Sequence, residues 1–266
     1  MLIDSHCHLD ADEFDGDRAA VIARARAAQV ETQVIPAIAL SGFEKLRDLC
    51  ASHDGLHAAY GLHPMFLAEH RPEHLLTLRE WIKREHPVAI GECGLDFFVE
   101  GLDHATQRDY FVGQLELARE FDLPVIVHAR RAVEEVIATI RRLGSKNQRS
   151  ALRGVVHSWS GSAEQAHQLY KLGFLIGIGG PVTYARARRL RELVATMPLE
   201  FLLLETDSPD QPLEGHRGER NEPARLTGVL ATVAALRAMK PNDVARATTQ
   251  NARRLFRLDS ADLPLR

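Results

Sequence analysis

The sequence predicts a single (β/α)8 TIM barrel spanning residues 1–266 and closed by a C-terminal capping helix. Three observations lead there. The length of 266 residues is that of one complete barrel. Short apolar runs alternate with longer amphipathic stretches along the whole chain, as parallel strands and crossover helices require. No stretch rich in Gly, Pro or Ser divides the chain into two units. An open doubly wound sheet would share the alternation, but eight strand–helix pairs favour closure.

The first strand is expected over residues 2–6, followed by a helix over 18–28. Strands over 32–38, 57–62 and 88–92 follow, separated by helices over 44–51 and 75–84. The second half repeats the scheme, with strands over 125–128, 154–157, 174–178 and 201–205 and helices over 106–121, 133–143, 163–172 and 187–196. Each strand is brief and rich in Val, Ile and Leu, whereas the helices carry apolar residues at intervals of three and four. The irregular stretch 209–223 reads as a long loop after the eighth strand, ahead of a helix over 224–239. Pro241, suited to a first helical turn, opens the capping helix.

Composition excludes several classes. Hydrophobic residues at 45% and charged residues at 26% describe an ordinary globular chain. A formal net charge of −3 supplies no general attraction to polyanions. Cys7, Cys50 and Cys93 form no CxxC pair, so neither a disulfide framework nor a cysteine zinc site is expected. With no apolar run of membrane-spanning length and no leader-like start, a cytoplasmic protein is expected, with no membrane association and no obligate protein partner.

The chemistry lies at the strand ends. His6, His8, His63, Glu92, His128, His157 and Asp207 all fall at or just beyond the carboxyl ends of expected strands, which converge on one mouth in a barrel. Each has a plainer reading by itself. The His6/His8 pair could be a polar strand end, Glu92 an ion-pair partner, His128 and His157 core histidines, and Asp207 a helix cap. Their convergence favours metal, because imidazole and carboxylate suit borderline divalent ions.

Eight segments in order, DSHCHLD (4–10), YGLHP (60–64), GECGLDFF (91–98), VHAR (127–130), HSWSG (157–161), ETDSP (205–209), RNEP (220–223) and NARRLF (251–256), make nearly the whole chain similar to the TatD-type metal-dependent hydrolases and deoxyribonucleases. The resemblance implies two divalent ions (Zn, Mn, Mg, Ni or Co), one on His6, His8 and Asp207 and one on His128 and His157, with Glu92 bridging. It also implies that His63 and Arg130 contact substrate. This chain departs from the family pattern at Cys93, Trp159 and Asp210, and the last adds a carboxylate beside the mouth.

Such a site predicts hydrolysis of a phosphoester, with Asp207 as general base and Glu92 between the ions, while DNA as a substrate is implied by the resemblance alone. Arg130 would fork onto phosphate, unless it pairs with Glu134 in the next helix. A related barrel acting on C–N bonds is the first alternative, although such enzymes often use a carboxylated lysine where this chain has Glu92. A barrel kept as a binding protein is the second, opposed by the intact ligand set. Arg186, Arg188, Arg189 and Arg191 read as a solvated helix face, and Gly177, Gly179 and Gly180 as a tight turn that binds no cofactor.

Overall fold

The computed structural model describes residues 1–144 and 151–258. Its strands are β1 (Leu2–Asp4), β2 (Val30–Pro36), β3 (Leu56–Tyr60), β4 (Ala89–Asp96), β5 (Val125–Arg130), β6 (Gly154–Val156), β7 (Phe174–Ile178) and β8 (Leu202–Leu204). They form one eight-stranded sheet in sequential order, every paired neighbour parallel. The last strand meets the first: Ser5 N donates to Leu204 O at 3.0 Å, and Asp207 N to His6 O at 2.9 Å. The TIM barrel is confirmed, with expected strands matched to within a few residues. The largest difference is β4, which runs on to Asp96.

The helices are α1 (Arg18–Ala27), α2 (Phe43–Ser52), α3 (His74–Glu85), α4 (His104–Glu120), α5 (Val133–Gly144), α6 (Ala163–Lys171), α7 (Arg188–Thr196), α8 (Leu226–Leu236) and α9 (Pro241–Phe256). Local chemistry sets their ends. Ser162 and Gln165 form a capping box at the start of α6, and Asp103 caps α4 through the amides of Ala105 and Thr106. In α5 the buried Val133, Val136, Ile137, Ile140 and Leu143 make the stripe that lies on the sheet. Among the described residues no helix is long and apolar enough to cross a membrane.

Strand alternation divides the core in two. Residues such as Ile35, Tyr60, Ile90, Val127 and Ile176 face outward and pack in the cluster that includes the helices. One residue from each strand (Ile3, Val34, Ala59, Ala89, Ile126, Val155, Leu175 and Leu203) faces inward and packs with Ala252, Leu255 and Phe256 of α9. The capping helix thus plugs the amino end of the barrel and leaves the carboxyl end free for chemistry. As expected, 209–223 contains no strand or α-helix. It is pinned by buried Asn221, whose Nδ2 donates to Thr206 O and Asp210 O, each at 2.9 Å.

Candidate metal centre

All seven strand-end residues meet at the carboxyl end of the barrel. His8, His63, Glu92, His128, His157 and Asp207 line a cleft of about 770 Å³, and His6 lies fully buried beneath it. β1 ends at Asp4, so the His6/His8 pair sits on the irregular segment that follows the strand and not on the strand itself. That segment is held by Cys7 N on Val34 O and His8 N on Ser208 O, at 3.2 and 2.7 Å. The two Nε2 atoms still converge, 3.2 Å apart.

Glu92 organises the centre because its two oxygens serve different sets of imidazoles. Oε2 lies 3.2 Å from His6 Nε2 and 3.5 Å from His8 Nε2. Asp207 Oδ1 stands on that same side, 3.3 Å from His6 Nε2. Oε1 lies 2.7 Å from His157 Nε2, 2.9 Å from His63 Nε2 and 3.1 Å from His128 Nδ1. The carboxylate therefore spans two lobes, one with His6, His8 and Asp207 and one with His128, His157 and His63.

The donor set fits divalent cations. Imidazole nitrogens converge, His6 on His8 at 3.2 Å and His157 on His128 at 3.4 Å, so that their lone pairs could serve one cation in place of the hydrogen bonds they share. Electrostatics point the same way. Burial works against an ionised Glu92, yet His157, His63 and His6 hold it well below the usual carboxylate range. Burial also opposes a charged His157, but Glu92 overrides it and pushes that imidazole up to about 10. His8 rises to about 9 for the same reason, whereas burial and the neighbouring His157 hold His6 well below its ordinary value. Burial raises Asp207.

His63 differs from the others in its second nitrogen, because Met65 N donates to Nδ1 at 3.1 Å and leaves the proton on Nε2. That suits a hydrogen-bond donor aimed into the cleft. Asp207 is no helix cap, since no helix begins there. It has a left-handed φ of 55°, and Gln211 Nε2 donates to its Oδ2. Arg130 makes no pair with Glu134: its guanidinium lies over the Phe98 ring, 3.7 Å from the centroid.

Three carboxylates beneath the centre were not among the expected ligands. Asp96 accepts from His128 Nε2 at 2.8 Å, orienting the imidazole that presents Nδ1 to Glu92. Burial opposes its charge, but His128 and the amides of Val99 and Phe98 hold it down at about 2. Its signal was present: Glu92, Gly94 and Asp96 alternate on one strand. Asp4 accepts from Thr206 Oγ1 at 2.6 Å and Thr206 N at 2.9 Å, tying the strand end before His6 to the one before Asp207. Glu205 lies fully buried close to both His6 and His157, and burial pushes it up to about 8. Its carboxylate fills the space that a Cβ on Gly177 would take, at 2.1 Å from Oε2. That glycine is therefore part of β7 and makes room for the acid; it is not a turn residue. Arg191, expected on a solvated face, donates to Val182 O at 2.9 Å.

Comparison with known proteins identifies the family. The family described as TatD related DNase matches residues 3–257. YjjV of Escherichia coli, named an uncharacterized metal-dependent hydrolase, is 38% identical over 96% of this chain and 97% of its own. YabD of Bacillus subtilis, described in the same words, is 36% identical over 97% of this chain and 100% of its own. A relative from Danio rerio with a provisional deoxyribonuclease name is 34% identical, covering 96% of each chain. The crystal structure of YjjV superimposes with a TM-score of 0.91, covering 97% of this chain and 98% of that one.

Proposed function

This chain belongs to the TatD related DNase family, whose relatives are named metal-dependent hydrolases, and we propose that it hydrolyses phosphoester bonds, DNA or a smaller nucleotide-type ester among them. The observation that carries this reading is the split of Glu92 between two imidazole sets at the foot of an open cleft. His6, His8 and Asp207 would hold one divalent ion and His128 and His157 the other, with Glu92 shared. When bound, such ions lower the pKa of water and polarise a phosphoryl oxygen.

The protein's own groups supply the rest. Asp207 is the general base: its Oδ1 stands with His6 in the histidine lobe and Gln211 Nε2 fixes the carboxylate through Oδ2, so the group is positioned to take a proton from the attacking water and pass it to the leaving oxygen. His63 Nε2–H lines the cleft and lies on Glu92 Oε1 at 2.9 Å, and it would turn to an ester oxygen once ions took over that carboxylate. Arg130 lines the cleft with no carboxylate partner among the described residues, leaving its guanidinium edge available to a nonbridging oxygen. An amide substrate would give that arginine less to bind.

The test is a substrate panel with metal-exchanged protein. Bis(p-nitrophenyl) phosphate should be hydrolysed, turnover should vanish on exhaustive chelation, and Mn, Co, Zn or Mg should restore it. Hydrolysis confined to cyclic amides or peptides would overturn the reading.

A further inference from the structure

Beyond the metal centre, the rim of the cleft is built asymmetrically. Asp10, Glu13 and Asp210 contribute carboxylates to one wall, while Arg130 stands on the other. Arg130 and its neighbour Arg131 are both exposed, and neither forms an ion pair among the described residues. Some other arginines do, as in Arg24 with Glu222 and Arg79 with Glu120. Both guanidinium groups instead lie over one ring, that of Phe98, with Cζ 3.7 and 4.7 Å from its centroid. Phe98 is itself 41% exposed, an unusual position for a large apolar side chain.

The arrangement is fixed from three directions. Pairing of β4 with β5 sets Asp96 opposite Arg130, and Phe97 N donates to Arg130 O at 2.9 Å, which brings the ring beside the arginines. Asp96 Oδ1 accepts from Phe98 N at 2.8 Å and Val99 N at 2.9 Å, while Oδ2 holds His128. One carboxylate thus ties the ring's backbone to the metal centre. Arg131 adopts a left-handed φ of 54°, costly for a residue with a Cβ, as strained backbone often is at binding sites.

We propose that Arg131, held on the Phe98 ring beside Arg130, forms with that ring a second anion subsite, which takes a phosphate adjacent to the one that Arg130 contacts. A guanidinium stacked on an aromatic face keeps its N–H edge free, and two unpaired forks on one ring offer charge-assisted bonds that no protein carboxylate has claimed. The acidic wall opposite directs the anionic part of the substrate to this side. The substrate is then a phosphoester with at least two phosphates, either a nucleotide chain or a small bisphosphate. This rests on the phosphoester reading above.

The experiment is equilibrium binding of thymidine 5′-monophosphate, thymidine 3′,5′-bisphosphate and a base-free sugar bisphosphate to the metal-loaded protein. The parent should bind a bisphosphate about tenfold tighter than the monophosphate, a difference of one charge-assisted contact pair. In R131A and F98L this ratio should fall toward one, while F98Y, which keeps an aromatic face, should preserve it. Equal gains for both bisphosphates would identify phosphate alone as the ligand. A gain confined to the thymidine compound would identify a nucleotide chain. A parent ratio near one, or a ratio that survives both R131A and F98L in folded, metal-replete protein, overturns the subsite. Because binding is read without turnover, a protein that hydrolyses bis(p-nitrophenyl) phosphate yet shows no bisphosphate preference loses the subsite alone. One that prefers bisphosphates but cleaves no phosphoester loses the hydrolysis reading alone.

Discussion

The two ends of the barrel are made from the same strands and carry opposite chemistry. At the amino end, Ile126, Val155 and Leu203 point inward and close over Leu255 and Phe256. Two residues further along those strands the inward positions are His128, His157 and Glu205, grouped with Glu92 and His6. One end is a dry plug that stabilises the fold. The other collects buried polar groups, which cost stability unless a ligand completes them. Stability and function should therefore separate cleanly when each end is mutated.

The largest effect is expected at the carboxyl end. Glu92→Ala removes the one carboxylate that both lobes share, so metal content should fall well below that of the parent and phosphoester turnover should drop to background. Metal analysis beside a turnover assay checks this, and a variant with full metal content would end the bridging assignment. At the amino end, Phe256→Ala should cost about 3–5 kcal/mol through lost burial and a cavity, lowering the melting temperature by about 10 °C. Metal content per folded chain should not change. If the variant lost metal instead, the two ends would not be independent.

Asp207→Asn sharpens the comparison inside the functional end. Asparagine tolerates the left-handed backbone at this position and still offers an oxygen to Gln211, so melting should barely change. It cannot take up a proton at neutral pH. Turnover should fall about a hundredfold, the scale of positioned acid–base catalysis. Near-parent turnover with full metal content would remove Asp207 as the base. Asp96→Asn should act through His128 alone, weakening metal affinity about tenfold to a hundredfold as lost supports of ligating histidines do. Titration of stripped protein with Mn or Zn reads this directly, and unchanged affinity would show that His128 needs no such support.

The amino-end plug and the ligand cluster were not equally legible in the sequence. His6, His8, His63, His128 and His157 stood out because imidazoles at the ends of apolar strands are rare enough to be noticed, and each strand core was a clear run of branched residues. Asp96 was hidden because the glycines of GECGLDFF interrupt the apolar run, so β4 seemed to end at Glu92 when it continues to Asp96. Asp4 and Glu205 were hidden for another reason: their neighbours in sequence are the more conspicuous candidate ligands, and only the third dimension shows them lying beneath the site. The Phe98 stack on Arg130 depends on pairing between β4 and β5, which no local pattern encodes. The same holds for α9, whose start was marked by Pro241 but whose insertion of Phe256 into the barrel was not.

The smallest effect expected tests how much the amino end owes to charge. Asp122, in the turn before β5, binds Arg257 Nη2 through Oδ2 and Arg153 Nη1 through Oδ1, both at 2.6 Å. It thus links the end of α9 to the approaches of β5 and β6. Hydrogen bonds from Arg257, reinforced by Arg153, hold the Asp122 carboxyl below its ordinary range against a small opposing effect of burial. A carboxylate depressed in the folded state contributes stability that is fully present above its unfolded pKa of about 3.9 and is lost as pH falls through the lower folded value. The side chain is 46% exposed, so solvent screening limits the contribution to under about 1 kcal/mol. Asp122→Asn should therefore lower the melting temperature by no more than about 4 °C at pH 7. The gap between parent and variant should stay constant down to about pH 5 and narrow below about pH 4. Added salt should shrink it, as it would not shrink the loss caused by Phe256→Ala. A gap as large as that of Phe256→Ala, or one that widened on acidification, would mean that charge and not apolar burial secures α9 in the barrel.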